Sequence, residues 1–406
     1  MKIIRQIPIL AFLAVTAKAE EATADYEIHE WGTFTTMHDS QGSAQPWYSA
    51  VPVKELPEFV YQQDRNGRVI RVDRMVFSKS AFPGNFYVRM ETPVVYFHSS
   101  TQRSVSLMAR YSNGVVSEWY PRASENSNNP SDAYVLWDNI DVDPAIKESG
   151  FPAVTQQGEH YFAARHTSAT PLRVSAPVSG QLDRTETEKF LFYRGAFNTQ
   201  PPVAIKPNDS GGLQLQSQVD LPDSFAIEAK ADGTLAWQRL GALASNKSQD
   251  LAWPGKFMPA GKARPELEAQ LAEALSTAGL FPDEAKAMVD TWKNDWLGEK
   301  GKRLLCIVPQ SWVDQTIVLS ATPKPKSIKR VFVSRMEYFD ASIEDQVASL
   351  IISSANDHAG AVAELRKMQL GRFQPQLISI ATQRISSRTS LLAARLGEEE
   401  KPLSLR

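Results

Sequence analysis

The sequence predicts an α+β protein. An antiparallel, β-rich, sandwich-like domain is expected over residues 26–245, and a smaller segment over 263–397 with a helical hairpin, a short sheet and C-terminal helices. Three observations carry this. Short runs rich in Val, Tyr, Phe and Thr, broken by turn residues, recur from Tyr26 to about Gln238. After Pro265 the apolar residues change to a spacing of three and four, the period of an amphipathic helix. A second group of strand-like runs then appears between residues 303 and 335.

In chain order, strands are expected at 69–72, 86–98, 105–111, 115–120, 172–175, 189–193, 225–229 and 235–238. Asn113-Gly114 and Asp232-Gly233 join their flanking runs closely and read as hairpin turns, because both central positions of such turns need positive φ. Residues 124–132 hold no apolar side chain and read as a solvated loop. Residues 246–265, rich in Lys, Pro and Gly, read as a linker. Pro265 then opens a helix carrying Leu267, Leu271 and Leu275 on one face, and Gly279 stops it. Pro282-Asp283-Glu284 supplies a fixed φ and two acids to the start of a second helix. The apolar face of that helix is Ala285, Met288, Val289, Trp292 and Trp296, at three-and-four spacing. Strands at 303–308, 317–321 and 330–335 are expected to make a small sheet beneath the helices. The last helices are marked by Ile343, Val347, Leu350 and Ile351, then by Val362, Leu365 and Met368, then by Leu377, Ala381, Ile385, Leu392 and Leu396. The polar tail 398–406 is expected to fray.

Residues 1–19 read as a secretory signal. Lys2 and Arg5 form the basic head, residues 7–17 the apolar run, and Ala17-Lys18-Ala19 the small-residue cleavage site. No apolar run approaches the ~20 residues of a membrane helix. The mature chain, cut near Ala19, is therefore expected in the periplasm or outside the cell, with no integral membrane segment. An apolar fraction of 42% suffices for real cores. Lys and Arg number 44 against 46 Asp and Glu, without a basic block, which argues against nucleic acid as a partner. The one cysteine, Cys306, excludes an intrachain disulfide and favours a bacterial over a eukaryotic secreted protein. Within Leu304-Leu305-Cys306-Ile307-Val308 it reads as a small buried hydrophobe.

Several segments carry a resemblance: Glu-Ile-His-Glu-Trp-Gly-Thr-Phe-Thr-Thr at 27–36, Arg-Met-Glu-Thr-Pro-Val-Val-Tyr-Phe-His at 89–98, Ser-Glu-Trp-Tyr-Pro at 117–121, Glu-Lys-Phe-Leu-Phe-Tyr-Arg-Gly at 188–195 and Ala-Met-Val-Asp-Thr-Trp at 287–292. Together they resemble an uncharacterised family of exported bacterial proteins. The resemblance implies export and a shared fold, and brings no activity, cofactor or catalytic residue with it.

Those segments also hold the candidate chemistry. His29 beside Glu30 is the composition of a tuned general base or a metal ligand, although strand neighbours point to opposite faces. The plainer reading, a surface-packed His and a salt-bridged Glu, is preferred. Glu91 lies in an apolar strand and needs a cationic partner if buried; Arg89, two residues away on the same face, is the expected one. The alternative pairs Glu91 with Glu30 or Glu118 as the acid and base of a glycosidase. Trp47, Tyr48 and Trp119 are the aromatics singled out as candidates to bind a ligand such as a sugar. No metal site is expected: His160 and His166 have no usual ligand spacing. Near Asp138, Asn139, Asp141 and Asp143 resemble the start of a Ca²⁺ loop, but Pro144 and Gly150 stand where that loop needs Gly and Glu. An acidic turn is the preferred reading, with a looser Ca²⁺ site as the open alternative. Asn208-Asp209-Ser210-Gly211-Gly212 mimics a serine-protease string, yet lacks its first Gly and the histidine segment.

Two functional readings follow. The first is a non-catalytic binding or structural protein of the periplasm or exterior, whose partner is a glycan or another envelope protein. The second is a secreted glycan hydrolase working through Glu30, Glu91 or Glu118, with His29 as a further catalytic candidate.

Overall fold

The longest buried strand is the first. The computed structural model describes residues 24–46, 56–63, 68–71, 86–129, 131–155, 159–178, 181–210 and 212–385. The signal, Trp47, Tyr48 and the tail 398–406 lie outside them. Strand Ala24–His38 is buried without a break from Ile28 to His38. A strand covered on both faces needs neighbours on both sides, and it has them. Strand Pro325–Tyr338 runs parallel to it on one side and strand Val88–His98 antiparallel on the other. Opposite Gly32 the second pairing slips by one residue at Thr92-Pro93, where Pro93 has no N–H to offer. A Cβ at Gly32 would lie 2.6 Å from the Phe332 ring, so this close approach requires glycine.

From that centre the large sheet extends through Gly301–Val308, Asp223–Ala229, Thr234–Arg239 and Met258–Pro259 on one side. On the other it extends through Leu191–Phe197, Gly114–Tyr120, Tyr61–Gln63 and Val69–Arg71, with Ala44–Gln45 pairing the first strand. A second sheet is ordered Gln181–Glu188, Leu172–Val178, Asp132–Val142, Arg103–Tyr111, Ile317–Thr322, with Glu125–Asn129 added on Asp132–Val142. Aromatic rings join the two sheets: Tyr111 stacks on Phe197 at 4.8 Å and meets Tyr193 at 6.0 Å, and Trp137 meets Tyr193 at 6.3 Å. A small third sheet comprises Val203–Pro207, Leu213–Ser217 and Lys247–Leu251.

The α+β class and the β-rich N-terminal part are as expected, and Asp232-Gly233 does close the hairpin of Asp223–Ala229 with Thr234–Arg239. Four local expectations are corrected. Asn113-Gly114 is no hairpin: it carries the chain from one sheet to the other, with Asn113 at φ 62°. The 124–132 segment contains a polar edge strand, because an edge needs only one partner and half-exposed Asn and Ser suffice there. The linker 246–265 contributes strand Lys247–Leu251, and the helix starts at Ala260, with Pro265 inside it. Strands 303–308 and 330–335 form no separate sheet; they are central strands of the large one, and 317–321 pairs Arg103–Tyr111 in the second. Both segments, 26–245 and 263–397, thus contribute to one sheet and one continuous core.

Helices Ala260–Thr277 and Pro282–Gly298 form the expected hairpin, burying Leu267, Leu271 and Leu275 against Ala285, Met288, Val289, Trp292 and Trp296. Helices Ala341–Ser353, His358–Lys367 and Gln374–Arg384 bury Val347, Ile351, Val362, Leu365 and Ile378 in a smaller cluster of their own. Phe373 and Leu377 tie that bundle to Met37 and Phe339 at the end of the central strands. Cys306 is buried, and burial pushes its thiol up to about 12, so it has no reactive thiolate.

Candidate functional site

The candidate carboxylates are held in separate networks. Glu30 is fully buried between Arg330, whose Nε donates to Oε2 at 2.5 Å, and the Tyr193 hydroxyl. Arg330 also donates to Asp314 at 2.8 Å and to the Ile317 carbonyl at 2.6 Å. Glu91 accepts two bonds from Arg372, one of them at 3.1 Å, and one from the Thr35 hydroxyl at 2.6 Å. Arg89, the partner expected from sequence, stands farther off at 3.5 Å. Burial acts to raise the Glu91 carboxyl; Arg372, Arg89, Arg335 and the Thr35 bond outweigh it and hold the group well below its ordinary value. Glu118 is half-buried on strand Gly114–Tyr120, in register with Arg194, and accepts from the Ser117 hydroxyl.

Trp119 is fully buried and presents no ring face to a ligand. Around the expected calcium position, Asp141 is bound by Gln102 at 2.9 Å and Arg173 at 3.0 Å, Asp138 by the Ser106 hydroxyl, and Asp143 by the Ala145 amide at 2.8 Å. Asp138 and Asp141 sit on an extended strand, which does not wrap around an ion as a loop does.

His29 is buried, not packed at the surface, and here the structure adds what spacing could not show. In the antiparallel register His29 faces Tyr96. His98, two residues beyond Tyr96, therefore takes the diagonal position on the same face. The two imidazole centroids are 4.7 Å apart. Glu284 reaches them from the first turn of helix Pro282–Gly298. Its Oε2 is 2.8 Å from His29 Nδ1 and its Oε1 is 2.8 Å from His98 Nε2. The Phe281 backbone N–H also donates to Oε2, at 2.9 Å, fixing the carboxylate where the helix begins. The Phe281 ring lies 4.5 Å from the His29 ring and 4.8 Å from that of His98. Glu27 Oε2 lies 3.8 Å from His29 Nε2. Burial acts to raise the Glu284 carboxyl, and the histidine and amide contacts outweigh it, so the group sits below its ordinary value. Among the described residues this is the group of three metal-ligating side chains that converges, all three ligand atoms lying within 4.8 Å of one another. Sequence reasoning had His29, the Val-Tyr-Phe-His end of the second strand and the acids at 283–284 in hand separately. No spacing rule joins positions so far apart.

No protein-family model and no curated protein matches this chain. Among solved structures, it is similar to the mu-homology domain of Fcho1 from Danio rerio with a bound Eps15 peptide, at 5% identity and a TM-score of 0.29, covering 79% of this chain and 99% of that one. It is also similar to the yeast delta-COP-I mu-homology domain, at 7% identity and a TM-score of 0.23, covering 79% and 97%. These scores are too low to establish a shared fold.

Proposed function

We propose that this chain is an exported binding or structural protein of the bacterial periplasm or cell exterior, belonging with the exported proteins its motifs resemble. Its partner is a glycan or another envelope protein. What favours this over glycan hydrolysis is the state of Glu91. A carboxyl kept ionised by Arg372, Arg89 and Arg335 has no proton to give a leaving group at neutral pH. Glu30 is closed in by Arg330 and Tyr193 at zero exposure, where no sugar ring reaches it. Among the described residues no helix is long and apolar enough to cross a membrane.

The test has two parts. The purified protein, assayed for new reducing ends on a panel of envelope polysaccharides, is expected to release none; release that disappears in a folded Glu91→Gln variant overturns the reading. Fractionation of the native host is expected to recover a chain beginning at Glu20 outside the cytoplasm. Full-length chain retaining Met1 in the cytosol refutes export.

A further inference from the structure

We infer that His29, His98 and Glu284 form a binding site for a first-row divalent transition metal, of the two-histidine, one-carboxylate type. Three donor side chains converge from three separate elements: strand Ala24–His38, the end of strand Val88–His98, and helix Pro282–Gly298. Their chemistry is selective. Imidazole nitrogens beside a single carboxylate suit Zn²⁺, Co²⁺, Ni²⁺ or Fe²⁺, whereas Ca²⁺ and Mg²⁺ prefer cages of oxygen.

The geometry is close to that of a ligand set. Each carboxylate oxygen lies 2.8 Å from one ring nitrogen. A bound ion takes ~2.0–2.2 Å contacts to nitrogen and oxygen, so ring rotations and a small approach of His98 would close the site. Loading takes the lone pairs of His29 Nδ1 and His98 Nε2, the nitrogens that face Glu284; each ring binds as a neutral imidazole that carries its one proton on the other nitrogen, and any further proton leaves to solvent. Glu284 is already ionised and stays so. Glu27, 3.8 Å from the remaining nitrogen of His29, sets a negative charge beside that side of the ring without a hydrogen bond to it. Entry is from the His98 side, where the side chain is 15% exposed, while those of His29 and Glu284 are 2% and 0% exposed. With three protein ligands, at least one coordination position remains for water or another small donor.

The site differs from an ordinary histidine–carboxylate clamp in what it binds, and the experiment reads that directly. Chelator-treated mature protein is titrated with Co²⁺, followed by its visible absorption bands, and then with Zn²⁺ by equilibrium dialysis. One equivalent of each ion is expected, with Zn²⁺ displacing Co²⁺. His98→Ala is expected to weaken binding by more than the ~10–100-fold that loss of an outer-shell partner costs. His166→Ala, which alters an exposed histidine outside the site, is expected to bind as wild type does. If His98→Ala fails to fold, His98→Asn supplies the same measurement. A wild-type chain that takes up no equivalent at free Zn²⁺ on the order of 100 µM, or one whose uptake survives in the folded His98 variant, overturns the inference. Neither result bears on the glycan-hydrolysis assay, so the two proposals fail separately.

Discussion

Replacing Glu91 by alanine tests whether this carboxylate is a structural anchor. The side chain is 1% exposed and is held by Arg372, Arg89 and the Thr35 hydroxyl. Arg372 comes from the Gly371–Phe373 turn, so the contact fastens the C-terminal helices to the central sheet. Removing one partner of a buried pair costs roughly 3–5 kcal/mol, chiefly because the other charge is left poorly solvated. Arg372 and Arg89 side chains keep 11% and 16% of their exposure and regain some water, which places the cost nearer ~2–3 kcal/mol. For a chain of 406 residues the entropy of unfolding is ~0.8 kcal/mol/K, so this loss lowers Tm by about 2–4 °C. Thermal melts at pH 7 provide the assay. The folded-state carboxyl is depressed below its ordinary value of 4.5, so its contribution is complete above that pH and fades as pH falls below it. The gap between wild type and Glu91→Ala should therefore narrow in acid. An unchanged or raised midpoint at pH 7 refutes the reasoning, since residues strained for catalysis behave in that way when removed.

Asp295 offers the opposite sign. Burial and then Glu299 raise it to about 6, against Arg335 and Arg372, with Glu91 adding to the rise. The charged form is therefore disfavoured in the fold above that pH, and Asp295→Asn should stabilise the protein by about 1–3 kcal/mol at pH 7–8. The gain should disappear in melts below about pH 4, near the ordinary value of 3.8; a destabilised variant at pH 8 would reject the argument. Gly195→Ala should lower stability sharply by overpacking, ~1–3 kcal/mol or more. Its added Cβ would lie 2.3 Å from both the Tyr111 ring and the Val115 carbonyl; wild-type denaturant midpoints for this variant would contradict that. A fragment of residues 26–250 lacks Gly301–Val308 and Pro325–Tyr338 and leaves strand Ala24–His38 without one neighbour. It should be unfolded by circular dichroism and rapidly proteolysed, and a cooperative, protease-resistant fragment would show that the N-terminal part folds alone.

Local patterns were readable wherever the deciding interaction was itself local. The Asp232-Gly233 hairpin, the three-and-four spacing of Ala285, Met288, Trp292 and Trp296, and the apolar run around Cys306 all fall in this group. Long-range pairing was not. Val331-Phe332-Val333 looks the same in a small separate sheet as in the middle of a large one, and only its partner at Trp31–Thr33 decides between them. Asn113-Gly114 failed for a related reason: positive φ permits a tight reversal without saying which strand comes next. The metal-ligating group was hidden further still, because strand register joins two of its members and a helix cap supplies the third.

The parallel pairing of Ala24–His38 with Pro325–Tyr338 sets an order of events during synthesis. The strand that ends up innermost is made almost first, and the strand that covers one of its sides is among the last to be made. Until that later segment exists, an apolar edge stays open to any extended chain nearby, a setting for mispairing and aggregation. Closing a loop of about 300 residues is also slow relative to forming hairpins, whatever its final stability. Completion of the central sheet thus waits for segment 325–338, and a holdase that shields the first strand should raise the yield more than one acting on the helices.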